Sequence, residues 1–199
     1  MRLPILSQRF LMILYGVILL AIVLADRLIK YWAITALAPV GEMPGISGIF
    51  HFYYVENTGA AFSILSRYTW LLTILTAIVV VGVLYLLFFK KFRPGYRVFL
   101  SFIAGGGIAN LIDRIAFGYV VDYIKIDFIT FFDFAIFNLA DIFITMGGIG
   151  IVVMILFFDR DSQKRKPNRA EGETDESQST QQPAVADADP AGADGNTPG

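Results

Sequence analysis

The sequence predicts a membrane all-α fold: a bundle of four transmembrane helices, with a small β-rich outer loop over about residues 41–66 and a short outer interfacial helix over about 119–134. Three observations lead there. The 199-residue chain is 56% hydrophobic with a mean hydropathy of +0.62, too apolar for an ordinary soluble domain. Four runs supply the ~20 apolar residues that a helix needs to cross a hydrocarbon core of ~30 Å. The basic residues gather at alternate ends of those runs, as four crossings require.

The first span covers about residues 10–32, with Asp26, Arg27 and Lys30 near its end. The second, about 68–89, carries no charge. The third, about 97–117, ends with Asn110, Asp113 and Arg114. The fourth, about 137–158, opens with Asn138 and Asp141. Arg2, Arg9 and the triplet Val23-Leu24-Ala25 also fit a cleaved signal peptide, but the apolar run continues through Ile29, Tyr31 and Trp32, which favours a retained span.

Arg2 and Arg9, then Lys90, Lys91, Arg93 and Arg97, then Arg160, Lys164, Arg165, Lys166 and Arg169 fall on one side of a four-span chain. That side is expected to be cytoplasmic, with both termini. The loops over about 33–67 and 118–136 then face outward. The first is rich in β-branched and aromatic residues with glycine punctuation, as in a small hairpin. The second is aromatic and acidic, and is expected to lie as a helix at the interface. Residues 1–160 form the membrane domain. Residues 161–199 are dominated by Ser, Gln, Glu, Asp, Pro, Ala and Gly and are expected to be a disordered cytoplasmic tail. Its basic start could meet anionic lipid headgroups.

Polar groups inside a span are costly and mark function. At ~1.5 Å rise per residue, Asp26, Asn110, Asp113 and Asp141 all lie ~20–26 Å above the cytoplasmic ends of their spans. Asp122 follows the third span closely and can return to that height. A transporter would place its polar groups nearer the midplane. A layer at one interface suits a substrate held in the membrane and attacked where water reaches.

The acids divide by their local cations. Asp26 has Arg27 beside it and Lys30 at i+4, and Asp113 has Arg114 beside it. These read as structural, as does Lys30. Asp127 and Asp133 read as solvated loop residues. Asp141 has no cation close in sequence, and Asp122 has only Lys125 at i+3. Two carboxylates that meet share a proton, so that one activates water while the other donates to a scissile carbonyl.

Other chemistries are poorly supplied. With no cysteine there is no disulfide, thiolate metal site or cysteine nucleophile. His51 is the one histidine, without an HExxH pattern, so neither a metal nor a cofactor is expected. No nucleophile elbow supports a Ser-His-Asp triad, although a Ser-Lys dyad on Lys30 or Lys125 stays open. Gly105, Gly106, Gly107, Gly147, Gly148 and Gly150 read as close-packing positions, not a phosphate loop.

Five motifs stand in order: Asp26-Arg27-Leu28-Ile29-Lys30; Asn57-Thr58-Gly59-Ala60-Ala61-Phe62; Gly106-Gly107-Ile108-Ala109-Asn110-Leu111-Ile112-Asp113-Arg114; Val121-Asp122-Tyr123; and Phe137-Asn138-Leu139-Ala140-Asp141. Over about residues 10–158 the chain resembles the bacterial lipoprotein signal peptidases, or signal peptidase II. The resemblance implies an aspartyl endopeptidase that cuts prolipoproteins before the diacylglyceryl-modified cysteine. It assigns catalysis to Asp122 and Asp141, and substrate positioning or bracing to Asn57, Asn110, Arg114 and Asn138. It also implies inhibition by the cyclic peptide globomycin. Lipidated precursors and membrane lipids are the expected partners, with no nucleic acid, and a monomer is expected. Ala109 departs from the usual glycine, and Tyr123 from the usual phenylalanine, adding a hydroxyl near the site. The competing reading is a non-catalytic four-span transporter or scaffold for lipidated peptides, with the polar layer as bundle glue.

Overall fold

The computed structural model describes residues 5–59, 69–127 and 136–159. The polar tail from 161 onward, Ala60, Ala61 and Phe62 of the second motif, and Asp133 lie outside the described residues. Helix α1 (Ile5–Trp32) runs into a wide π-helical turn, Ala33–Leu37. Strands β1 (Glu42–Ile46) and β2 (Phe50–Asn57) follow, then α2 (Thr69–Phe89), α3 (Pro94–Phe117), β3 (Val120–Ile126) and α4 (Leu139–Met154). A second π-helical turn, Ile155–Asp159, follows α4. Four helical segments, Gln8–Leu37, Thr69–Phe89, Pro94–Phe117 and Leu139–Phe157, are long and apolar enough to cross a membrane.

The sequence dictates the helix ends. Pro94 opens α3 at a position where its missing N–H costs nothing. Gly118 closes it with φ 80°, and its N–H returns to the Arg114 carbonyl. Along α1, Ile13, Val17, Leu20, Leu24 and Leu28 recur every three or four residues and are exposed, whereas Tyr15, Ile22, Asp26 and Lys30 are buried. In water such a stripe would be a liability. Against lipid it is the solvent-facing side, and the polar groups turn inward.

One expectation is corrected. Residues 120–126, placed in a short interfacial helix over about 119–134, form strand β3 instead. The run is mostly β-branched, and β2 offers it a backbone edge, pairing Phe50 with Ile126 and Asn57 with Val120. Residues 128–135 of the expected helix lie outside the described residues. The β-rich loop is present as β1 and β2, so that a three-stranded antiparallel sheet of order β1-β2-β3 caps one end of the bundle. Trp32 meets Phe52 edge-on at 5.2 Å, tying the end of α1 to the sheet.

α3 is the axis of the bundle, with α1, α2 and α4 each packed against it. Its three consecutive glycines serve three partners, because successive helical residues point ~100° apart. A Cβ on Gly105 would press on Ile22 and the Leu19 carbonyl of α1. One on Gly107 would meet Val80 of α2, and one on Gly106 would collide with the Ala140 carbonyl and Ile144 of α4. Gly147 and Gly150 of α4 admit Ile103 and Phe99 of α3 in the same way. Gly148, read from sequence as another close-packing position, faces open space.

Gly106→Ala is therefore expected to be destabilising by ~1–3 kcal/mol, since the obstacle is backbone. Gly148→Ala should be neutral or mildly stabilising, through helix propensity. Thermal unfolding of the two purified variants in detergent compares them directly. Equal melting temperatures would contradict this account of how α4 is seated.

Candidate active site

Gly106 and Asn110 lie one turn apart on α3, so the close approach at Gly106 brings Asn110 to the first turn of α4. Asn138 caps that turn. Its side-chain oxygen accepts from the Asp141 N–H at 3.0 Å, and its own N–H donates to Asp141 Oδ2 at 3.2 Å, a reciprocal capping box. The Asn138 amide nitrogen donates to Asp122 Oδ1 at 2.6 Å and to Asn110 Oδ1 at 3.2 Å. Asn110 in turn donates to Asp141 Oδ1 at 2.8 Å. One asparagine thus holds both carboxylates, and a second closes the ring.

Asp122 reaches this ring from β3. Val55 faces Asp122 across the β2–β3 ladder, and Asn57 is two residues further on the same face. The Asn57 amide donates to Asp122 Oδ2 at 2.8 Å, while its oxygen takes the Gly59 N–H at 3.0 Å, which fixes the amide's orientation. Lys125, the cation nearest Asp122 in sequence, points away and sits over the Tyr53 ring at 5.2 Å. Burial, and then the charge of Asp141, push the Asp122 carboxyl up to about 7, against the opposing pull of the Asn57 and Asn138 hydrogen bonds and the Lys30 charge.

Beneath the ring lies a charged layer. Lys30 is 1% exposed, and three oxygens surround its ammonium: Asp113 Oδ2 at 2.7 Å, Asp26 Oδ2 at 2.8 Å and Asn110 Oδ1 at 2.9 Å. Arg27 pairs with the other oxygen of Asp113. The expected pairing of Asp26 with Lys30 is therefore present. Asp113 is held by Arg27 and Lys30 of α1, whereas its sequence neighbour Arg114 points elsewhere, donating to the Gly59 carbonyl at 3.4 Å. Adjacent helical residues diverge by ~100°, so adjacency in sequence was a poor guide. Asp26 also accepts the Ala140 N–H at 3.0 Å, and Asp113 accepts the Val121 N–H at 3.3 Å. Asp26 and Asp113 thus also tie down the helix and strand that carry Asp141 and Asp122.

A cavity of about 280 Å³ opens over the two carboxylates, lined by Asn57, Asn110, Arg114, Asp122 and Asp141 with apolar walls that include Ile144. Asn138 lies behind the carboxylates and is fully buried. Asp127, read as solvated, is hydrogen-bonded to His51 Nδ1 at 2.5 Å. No cluster of three metal-ligating side chains occurs among the described residues. The Tyr123 hydroxyl, expected near the site from the sequence, has a partner the sequence did not name: it accepts the Leu139 N–H at 3.1 Å. The hydroxyl itself was the available signal.

Comparisons with known proteins point to one family. The family model described as "Signal peptidase (SPase) II" matches residues 18–157. A lipoprotein signal peptidase of Clostridium novyi (strain NT) is 39% identical over 149 residues, covering 73% of this chain and 95% of the relative. That of Clostridioides difficile (strain 630) is 36% identical over 150 residues, covering 75% and 99%. Two bacterial membrane enzyme structures, solved by the in meso method at 2.3 and 1.9 Å, superpose with TM-scores of 0.67 and 0.64, each at 30% identity. The first match covers 77% of this chain and 92% of the solved chain, and the second 72% and 93%. The chain belongs to the signal peptidase II family of lipoprotein signal peptidases.

Proposed function

We propose that this chain removes the signal peptide from prolipoproteins, cutting before the diacylglyceryl-modified cysteine, with Asp122 and Asp141 as its catalytic pair. The observation that carries the reading is that Asn138 hydrogen-bonds both carboxylates at the floor of one cavity. Two acids so close cannot both ionise cheaply, so the pair holds one proton near neutral pH. The ionised carboxylate takes a proton from a water as it attacks the scissile carbonyl, and the other donates its proton to the carbonyl oxygen. On collapse of the tetrahedral species, the proton taken from water goes to the leaving amine, and a hydroxyl proton returns to the second carboxylate, restoring the singly protonated pair.

The supporting residues have separate tasks. Asn57, Asn110 and Asn138 fix the carboxylates by hydrogen bonds that need no rearrangement during the reaction. Arg114 lies within electrostatic reach of Asp122, Asp141 and Asp113, and holds the Gly59 carbonyl at the cavity wall. There it positions substrate backbone. Asp26, Lys30 and Asp113 set the height of the layer. Six residues of a single chain complete the site, which supports a monomeric enzyme. A globomycin-type cyclic peptide would occupy the same cavity. Both termini are cytoplasmic and the site faces outward, since eleven basic residues cluster at the opposite ends of the spans. This topology presents the dyad where water meets the membrane. The scaffold and transporter readings are not favoured.

Asp122→Asn and Asp141→Asn should each lower cleavage of a lipidated precursor by at least ~100-fold while the protein still inserts and unfolds cooperatively. Normal turnover by either variant would sink the assignment. The unlipidated cysteine parent should remain uncut by the wild-type chain.

The pH profile carries a sign. Asp122 loses its proton as pH rises through about 7, leaving two charged carboxylates and no acid, so the rate should fall on that alkaline side. The Asn57 hydrogen bond favours the charged form. Asn57→Ala should therefore shift the alkaline limb to higher pH, read from kcat/KM against pH. A downward shift would contradict the role given to Asn57.

A further inference from the structure

We infer that the Tyr123 hydroxyl is a positioning group for Asp141, acting through the backbone amide of Leu139. The inference rests on the aspartyl-pair reading above and adds a residue to it. The argument starts from the first turn of α4. Leu139, Ala140 and Asp141 are its first three residues, and none of their N–H groups has a partner within the helix. Each finds an oxygen from a different place. Leu139 donates to the Tyr123 hydroxyl of β3 at 3.1 Å, Ala140 to Asp26 of α1 at 3.0 Å, and Asp141 to the Asn138 cap at 3.0 Å.

Tyr123 is a rigid post for this purpose. It is 2% exposed and packed in a cluster with Ala33, Leu37 and Val121. The Tyr123 N–H donates to the Phe137 carbonyl at 3.1 Å. Ile124 and Phe137 exchange two more backbone bonds at 2.9 and 3.1 Å. Residue 123 therefore grips the chain on both sides of Asn138, at 137 through its backbone and at 139 through its hydroxyl. Its neighbour Asp122 carries one carboxylate of the pair, and the turn it holds carries the other. Phenylalanine would fill the same volume but leave the part-buried Leu139 amide without this acceptor. The turn would then tilt, or the amide would compete for a nearby carboxylate, and either response moves Asp141. Tyr123 also lies within electrostatic reach of Asp26, Asp141 and Asp122.

The test is a double-mutant cycle in the full-length protein. Tyr123→Phe should lower kcat for a lipidated precursor roughly tenfold, with KM changed less than about twofold and the pH profile displaced. Leu139→Pro removes the same N–H without leaving an orphan donor, because proline is accepted at the first helical position. Asn138, with φ −127° and ψ 179°, already has the extended backbone that must precede a proline. In the Leu139→Pro background, Tyr123→Phe should change kcat by less than about twofold, the packing cost of proline cancelling in the cycle. An equal loss in both backgrounds would overturn the inference, and so would an unchanged kcat and pH profile in the single Tyr123→Phe variant. A reading independent of any variant is hydrogen exchange in the wild-type chain. The Leu139 amide should be protected like those of Ala140 and Asp141, and exchange at the rate of an exposed amide would also overturn it. Failure here leaves the catalytic pair standing if Asp141→Asn is inactive, and an active Asp141→Asn would bring down the pair itself.

Discussion

A helix that begins inside a protein exposes its first N–H groups to whatever surrounds them, and where neighbouring groups crowd out water they must supply the acceptors. α4 begins in this way. Its first turn is satisfied by a strand, by α1 and by its own cap, and the side chains that do so are members or immediate neighbours of the polar site. Asp141 is at once the third residue of the helix, a partner in the capping box and one carboxylate of the proposed pair. The requirement to close a helix end and the requirement to fix an acid of the proposed pair are therefore met by the same bonds. The glycine at 106 makes this possible, because no residue with a Cβ lets the Ala140 carbonyl approach α3 so closely.

Two polar layers then stack on this constraint. Asp26 and Asp113 against Arg27 and Lys30 form a charge-balanced set, so the desolvation of each ion is offset by a partner of opposite sign. Such clusters often add little net stability compared with an apolar core, but they set geometry, and deleting one member leaves a buried charge. Above them the asparagines form a neutral amide layer. Lys30 touches both, since its ammonium donates to Asn110 as well as to the acids. The carboxylates of the cavity thus sit on amides oriented from below and are shielded from direct pairing with a cation. That arrangement favours a shared proton over a fixed salt bridge.

Much of this was legible in the sequence. The spans could be read because lipid demands long apolar runs, and the height of Asp26, Asn110, Asp113 and Asp141 followed from helical rise alone. The proposal of Asp122 and Asp141 rests on their having few cations close in sequence and on the family motifs; Lys125, the cation nearest Asp122 in sequence, sits over the Tyr53 ring. What stayed hidden depends on contacts distant along the chain. Residues 120–126 mix apolar and charged side chains in a way that suits either an interfacial helix or a strand, and only pairing with β2 decides for the strand. The partner of Asp113 comes from α1, more than eighty residues away, and no local pattern names it. Gly148 resembles its neighbours in sequence yet faces outward, since a single position of helical phase separates a packed glycine from an open one.

The central claim is that the two carboxylates hold a single proton near neutral pH. Infrared spectroscopy of the lipid-reconstituted protein reads this without reference to turnover. The account predicts a protonated-carboxyl C=O band that titrates away with a midpoint near pH 7 and is absent from Asp122→Asn. A spectrum at pH 6 with no protonated carboxyl, or a band that survives unchanged in that variant, would contradict it.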